Sequence, residues 1–184
     1  RPALEGWPAM PRRLAPTVAV ALVLVAVLAA PAAAAPVDVP ATLGPRLAKV
    51  VDRTPLAVLV PDVLDLDVEA GTRVYASSAP GRARYAFSLA AAPNCGGATA
   101  CFLASLSAER GCEPAFRARV RLRGGIPGWF KPLSCGASCS PAVLQFRRRG
   151  VLYEIQAKLS ASTNAAQRAA LVRAANAALR IGPR

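Results

Sequence analysis

Val143-Leu-Gln-Phe-Arg-Arg148 and Val151-Leu-Tyr-Glu-Ile-Gln-Ala-Lys-Leu159 flank the dipeptide Arg149-Gly150. Two apolar-rich runs around a two-residue turn signal read as a β-hairpin. Immediately upstream, Ile126–Pro141 is rich in Gly, Pro and Cys and reads as a long loop. Before it, Ala115–Arg123 is the clearest strand of the chain, ended by Gly124-Gly125. Arg84–Ala90 alternates, with Tyr85, Phe87 and Leu89 as its apolar face, and the loop Pro93–Ala100 leads into a strand over Cys101–Ser107. Thr72–Ser77 is a further strand, bounded by Ala79-Pro80-Gly81. Leu64, Leu66 and Val68 face one way along Leu64–Glu69, and Asp65, Asp67 and Glu69 face the other. Leu56–Val60, between Pro55 and Pro61, is a short apolar strand, and Val37–Pro40 is an extended lead-in.

Two segments have helical spacing. In Thr42–Asp52, Leu43, Leu47, Val50 and Val51 form an apolar stripe, with Pro45 tolerated in the first turn. In Asn164–Leu179 the stripe is Leu171, Val172, Ala175 and Leu179, and Gly182-Pro183 follows the stop. Helix, about six to seven strands at short spacing, then helix implies an α+β domain. Its sheet is expected to be mainly antiparallel, with the N-terminal and C-terminal helices packed on one face. Neither helix is long enough to fold alone.

Residues Met10–Ala34 read as an export signal. Arg12 and Arg13 lead into Val18–Ala30, an apolar stretch of 13 residues, and then the small-residue tract Pro31-Ala-Ala-Ala-Ala35. The stretch is shorter than the roughly 20 residues a membrane span needs. Cleavage is expected after Ala34, leaving residues 35–184 as one secreted domain with no transmembrane segment. Residues 1–9 read as an upstream translation artefact.

Cleavage removes Arg1, Arg12, Arg13 and Glu5 and leaves 20 basic and 9 acidic residues, a net charge of +11. Such a charge points to an anionic partner, although an Arg- and Ala-rich composition also arises from a GC-rich genome. Export disfavours nucleic acid, so an anionic cell-wall polymer or lipid surface is the expected partner. The chain has no His. That excludes Ser-His-Asp and Cys-His sites and removes the commonest zinc ligand. Ser-Lys chemistry would have to use Lys49, Lys131 or Lys158, and no Ser-x-x-Lys spacing is present. A metal, a cofactor and an enzymatic activity are therefore not expected.

Five cysteines remain: Cys95, Cys101, Cys112, Cys135 and Cys139. In an oxidising compartment disulfides are the default, and an odd count leaves one thiol free. Local spacing suggests Cys95–Cys101 and Cys135–Cys139, with Cys112 as the free thiol. Crossed pairing between the two loops stays open, because sequence does not fix connectivity.

Two surfaces are candidates for binding. Arg117, Arg119, Arg121 and Arg123 recur at every second residue, about 6.6–6.8 Å apart on one face of a strand. This face either binds an anion or is solvated or paired with Asp65, Asp67 and Glu69, which share its spacing; the second reading is preferred. Arg147–Arg149 and Arg82/Arg84 are placed at strand ends and turns. In the loop reading of Ile126–Pro141, Trp129 and Phe130 beside Lys131 form an aromatic contact for a sugar ring or a lipid interface. The alternative, slightly preferred, is a plug folded back over the sheet end.

Three segments, Cys95-Gly-Gly-Ala-Thr-Ala-Cys-Phe-Leu-Ala-Ser105, Gly128-Trp-Phe-Lys-Pro-Leu-Ser-Cys-Gly-Ala-Ser-Cys-Ser-Pro141 and Gly150-Val-Leu-Tyr-Glu-Ile-Gln-Ala-Lys158, carry a resemblance. They resemble a group of small exported proteins of cyanobacteria and actinobacteria with paired-Cys loops. That group has no assigned activity, so the resemblance implies export and disulfides but no active site. The order strand, Gly, strand with Tyr153, then helix is similar, as fold alone, to lipoprotein carriers and sigma-factor-regulator sensors. The function expected is an envelope-associated binding module. The alternatives are a structural or protein-interaction component without a small ligand and, less favoured, a hydrolase using Ser138 or Ser140 near Lys131 or Lys158.

Overall fold

The computed structural model describes residues 36–96 and 98–184, so the stretch read as an export signal, residues 10–34, lies outside the described residues. The hairpin expected around Arg149-Gly150 forms the centre of the fold. β10 (Ala142–Arg148) and β11 (Val151–Ala157) pair antiparallel over their whole length. Around them lie β3 (Tyr75–Ala79), β4 (Arg84–Ala90), β5 (Phe102–Arg110), β6 (Ala118–Arg121) and β7 (Pro127–Lys131). The seven strands run in the order β3-β4-β5-β11-β10-β7-β6, every pairing antiparallel. β1 (Pro36–Asp38) and β2 (Val63–Asp65) make a separate two-stranded ladder, as do β8 (Ser134–Cys135) and β9 (Cys139–Ser140).

Directly opposed residues share a face of a sheet. One face carries Tyr85, Phe87, Leu106, Ala108, Leu144, Phe146, Tyr153 and Ile155, all buried in one apolar cluster. α1 (Val39–Leu43) and α2 (Pro45–Arg53) lie against β3 and contribute Val39, Leu43 and Val50 to this cluster. α3 (Asn164–Ile181) lies against β10 and contributes Leu171, Ala174, Ala175 and Ala178. Thr163 caps α3, its Oγ1 accepting from the Ala166 N–H at 3.2 Å.

Four local expectations are corrected. The first helix is two helices: Gly44 adopts φ 49°, and Pro45 restricts the residue before it and restarts the helix at its first position. Leu56–Val60 is buried but not a strand, because its polar groups pair elsewhere. Leu59 N–H donates to the Tyr85 hydroxyl at 3.0 Å, and the Ala57 carbonyl accepts from the Tyr153 hydroxyl at 3.0 Å. Ala115–Arg123 shortens to β6, and Arg123–Gly125 form a tight turn in which Gly124 and Gly125 adopt φ 69° and 73°. The loop Ile126–Pro141 instead contains β7 and the β8–β9 hairpin.

A strap explains the topology. β5 and β6 are consecutive in sequence yet separated by β11, β10 and β7 in the sheet. Residues 111–117 cross between them and are tied to the face opposite the apolar cluster. Gln145 of β10 is only 5% exposed and holds this crossing. Its Oε1 accepts from the Ala115 N–H at 2.8 Å and its Nε2 donates to Glu154 Oε2 at 2.7 Å. Arg147 and Glu113 add an exposed ion pair at 2.5 Å.

Candidate functional site: a basic sheet edge

β6 is the edge of the seven-stranded sheet, paired only with β7. A continuous cross-strand row runs Ala86, Ser107, Glu154, Gln145, Trp129, Arg119 from β4 to β6, on the face opposite the core. Arg121, two residues along β6, therefore shares the face of Arg119, and Lys131 shares that of Trp129. Arg119 and Arg121 are exposed, and Trp129 and Lys131 are half-buried. Lys131 Nζ lies 5.9 Å from the centre of the Phe116 ring, which the strap supplies.

The sequence-derived site is thus partly assembled. Arg119, Arg121, Trp129 and Lys131 come together; Arg117 is exposed just before β6. Arg123 leaves the row: it stands in the tight turn after β6, where its N–H donates to Asn176 Oδ1 of α3 at 2.7 Å. Phe130 also leaves it. Because Trp129 and Phe130 lie in strand β7 and not in a loop, they point to opposite faces, and Phe130 is buried against the core at 6% exposure.

The acidic segment does not neutralise this edge. β2 pairs with β1, and Leu66 bridges to Leu159 near α3. Asp65 faces Arg173, 3.8 Å away, and not β6. Among the described residues no carboxylate lies within 4 Å of Arg117, Arg119, Arg121 or Arg123.

Both disulfides are the local pairs, Cys95–Cys101 with Sγ atoms 2.06 Å apart and Cys135–Cys139 with 2.09 Å. They are consistent with an oxidising, extracytoplasmic setting. Their loops flank a groove of about 380 Å³ on the polar face, lined by Ser88, Thr99, Phe102, Ser138, Ser140 and Gln156. Lys158 Nζ donates to the carbonyls of Thr99 and Ala100, fastening the first loop, and Lys131 Nζ donates to Ser140 Oγ at 3.4 Å, fastening the second. Cys112 is the free thiol, beside the hairpin turn: Gly111 N–H donates to the Gly150 carbonyl at 3.2 Å. Partial desolvation pushes its thiol up, and Glu109 and Glu113 add to this.

Gln145, which orders the strap over the site, was not singled out in the sequence. The available signal was a polar residue between Leu144 and Phe146 in a strand whose other face is apolar. Among the described residues no helix is long and apolar enough to cross a membrane. No protein-family model matches the chain, and comparison with curated proteins and with solved structures returned no match.

Proposed function

We propose that this protein is an exported binding module that docks on an anionic surface of the bacterial cell envelope, a wall polymer or a lipid layer. The observation that carries the reading is the basic edge, where Arg117, Arg119 and Arg121 lack a carboxylate within 4 Å among the described residues. Trp129 lies directly across from Arg119 and supplies an amphipathic ring at the same surface. Arginines on an edge strand also discourage edge-to-edge pairing, so the same residues keep the sheet from extending. Docking of this kind is electrostatic at long range and weakens with salt. The test is cosedimentation of the protein with cell walls and with anionic vesicles at low and high salt. Binding that salt abolishes and Trp129→Ala weakens supports docking; the absence of binding under all conditions overturns it and leaves an interaction with another protein.

A hydrolase has one observation in its favour, the 3.4 Å contact of Lys131 Nζ and Ser140 Oγ at the mouth of the disulfide groove. A Ser-Lys site needs a neutral amine. Here Lys131 Nζ also lies over the Phe116 ring, 5.9 Å from its centre, so the amine is not directed at Ser140 alone. Ester hydrolysis lost in Ser140→Ala would be required to restore this reading.

A further inference from the structure

We infer that Arg110, Arg148 and Arg149 form a second anion site, built for the phosphate group of a phosphomonoester and separate from the basic edge. Arg148 of β10 and Arg110 of β5 each stand opposite Val151 of β11. The three residues form one cross-strand row on the core side of the sheet, one row beyond Tyr153 and Phe146. The apolar cluster ends there, and a cavity of about 210 Å³ opens. Its lining includes the three arginines and Tyr153, with Pro55, Leu56 and Pro183 as an apolar wall.

Three features mark the cavity as a ligand site. Its lining contains three cations and no carboxylate. Among the described residues none of the three arginines makes an ion pair within 4 Å. One nitrogen of Arg148, Nη1, is buried and no described residue accepts its hydrogens. A buried donor on a charged group is costly to leave unpaired, and an oxyanion in the cavity would satisfy it.

The turn adds an independent observation. Arg149 and Gly150 make the two-residue hairpin loop with φ 51° and 75°. Both values lie in the left-handed region, where Asn or Gly is favoured at the first position and a long side chain is strained. The strained position presents a third guanidinium to the cavity. Tyr153 fixes the opposite wall, its hydroxyl donating to the Ala57 carbonyl at 3.0 Å. Burial raises the pKa of this hydroxyl, and Arg148 and Arg149 pull it down, in keeping with their closeness.

Guanidinium forks match the oxygens of phosphate in pairs, and several of them suit a dianion better than a single carboxylate. The apolar wall leaves room for a small organic group. The phosphate could belong to a soluble ester or to a lipid headgroup, and the experiment separates these sources.

The test is calorimetric titration of the full chain with inorganic phosphate against chloride at matched ionic strength, alongside cosedimentation with vesicles containing phosphatidic acid. Saturable phosphate binding at least tenfold weaker in Arg148→Gln supports the site. Arg149→Gly guards against loss of fold: it relieves the turn, so it should weaken phosphate binding about threefold or more without lowering the melting temperature. Vesicle binding that free phosphate displaces and Arg148→Gln weakens assigns a lipid source, and phosphate binding with vesicle binding unchanged by Arg148→Gln, or with none, assigns a soluble one. Unsaturable phosphate titration of the wild type, or wild-type phosphate binding in both variants, overturns the proposal whether or not the vesicles are bound through the basic edge.

Discussion

Arg119 stands directly opposite Trp129 across the β6–β7 ladder, on the face of the sheet that Gln145 also occupies. The relationship depends on two things at once. β7 must be a strand, so that Trp129 turns away from the core while Phe130 turns into it. The chain must also cross three strands to place β6 at the edge, which the strap over Gln145 permits. The basic edge is therefore a consequence of topology, and changes remote from the arginines should disturb it.

Gln145→Leu should cost about 3 kcal/mol, because it leaves the Ala115 N–H and the Glu154 carboxylate without their partners. The double variant Gln145→Leu/Glu154→Leu should recover part of that loss, since no carboxylate is then left without its donor. Urea unfolding midpoints of the two variants check this; a single variant as stable as wild type would mean that the strap is not held here.

Gly128→Ala should destabilise by about 1–3 kcal/mol through overpacking. A methyl group at this position would lie 2.9 Å from Val120 Cγ2 and 3.2 Å from the Gln145 carbonyl oxygen. Relief requires β6 to move away from β7, so the β6 amides should exchange hydrogen faster than those of β10. Unchanged β6 protection would contradict the packing described.

Tyr85→Phe should cost about 1–3 kcal/mol, because the buried Leu59 N–H loses its acceptor. It should also alter the alkaline limit of stability. Burial raises the Tyr85 hydroxyl above its ordinary value, so the folded state holds this proton where the unfolded chain releases it. Stability then falls as the pH rises above about 10, the value in the unfolded chain. The variant should lose that component, and unfolding curves between neutral pH and pH 11 measure it.

Cys112 should be the single thiol that reacts with a labelling reagent in the unreduced protein, with five reacting after reduction and denaturation. Its raised pKa leaves less thiolate near neutrality, so labelling should be slower than for a free cysteine and rise later with pH. Glu109→Gln should speed it. Two or more reactive thiols before reduction would contradict the pairing of Cys95 with Cys101 and of Cys135 with Cys139.

Much of this was legible where one face of a strand is apolar. The alternation of Tyr85, Phe87 and Leu89 gave β4 its limits, Arg84–Ala90, without change, and the Arg149-Gly150 turn gave the central hairpin. The sequence misled where partners lie far along the chain. Leu56–Val60 has the composition of a strand, but its polar groups meet the hydroxyls of Tyr85 and Tyr153, 26 and 96 residues away from their partners. The Gly and Pro residues around Trp129 hid β7. Gly128 is needed there for close packing against Val120, and Pro127 begins the strand. The spacing of Asp65, Asp67 and Glu69 matched that of the arginines, but spacing carries no information on which strands become neighbours.

The most direct test of the central claim is the affinity of wild type and Arg119→Gln/Arg121→Gln for anionic vesicles, measured across a salt series. At about 1 kcal/mol for each arginine near an anionic surface, the double variant should bind roughly thirtyfold more weakly at low salt. Its salt dependence should also be shallower, with an unchanged melting temperature. Equal affinity and equal salt dependence of the two proteins would contradict docking through the basic edge.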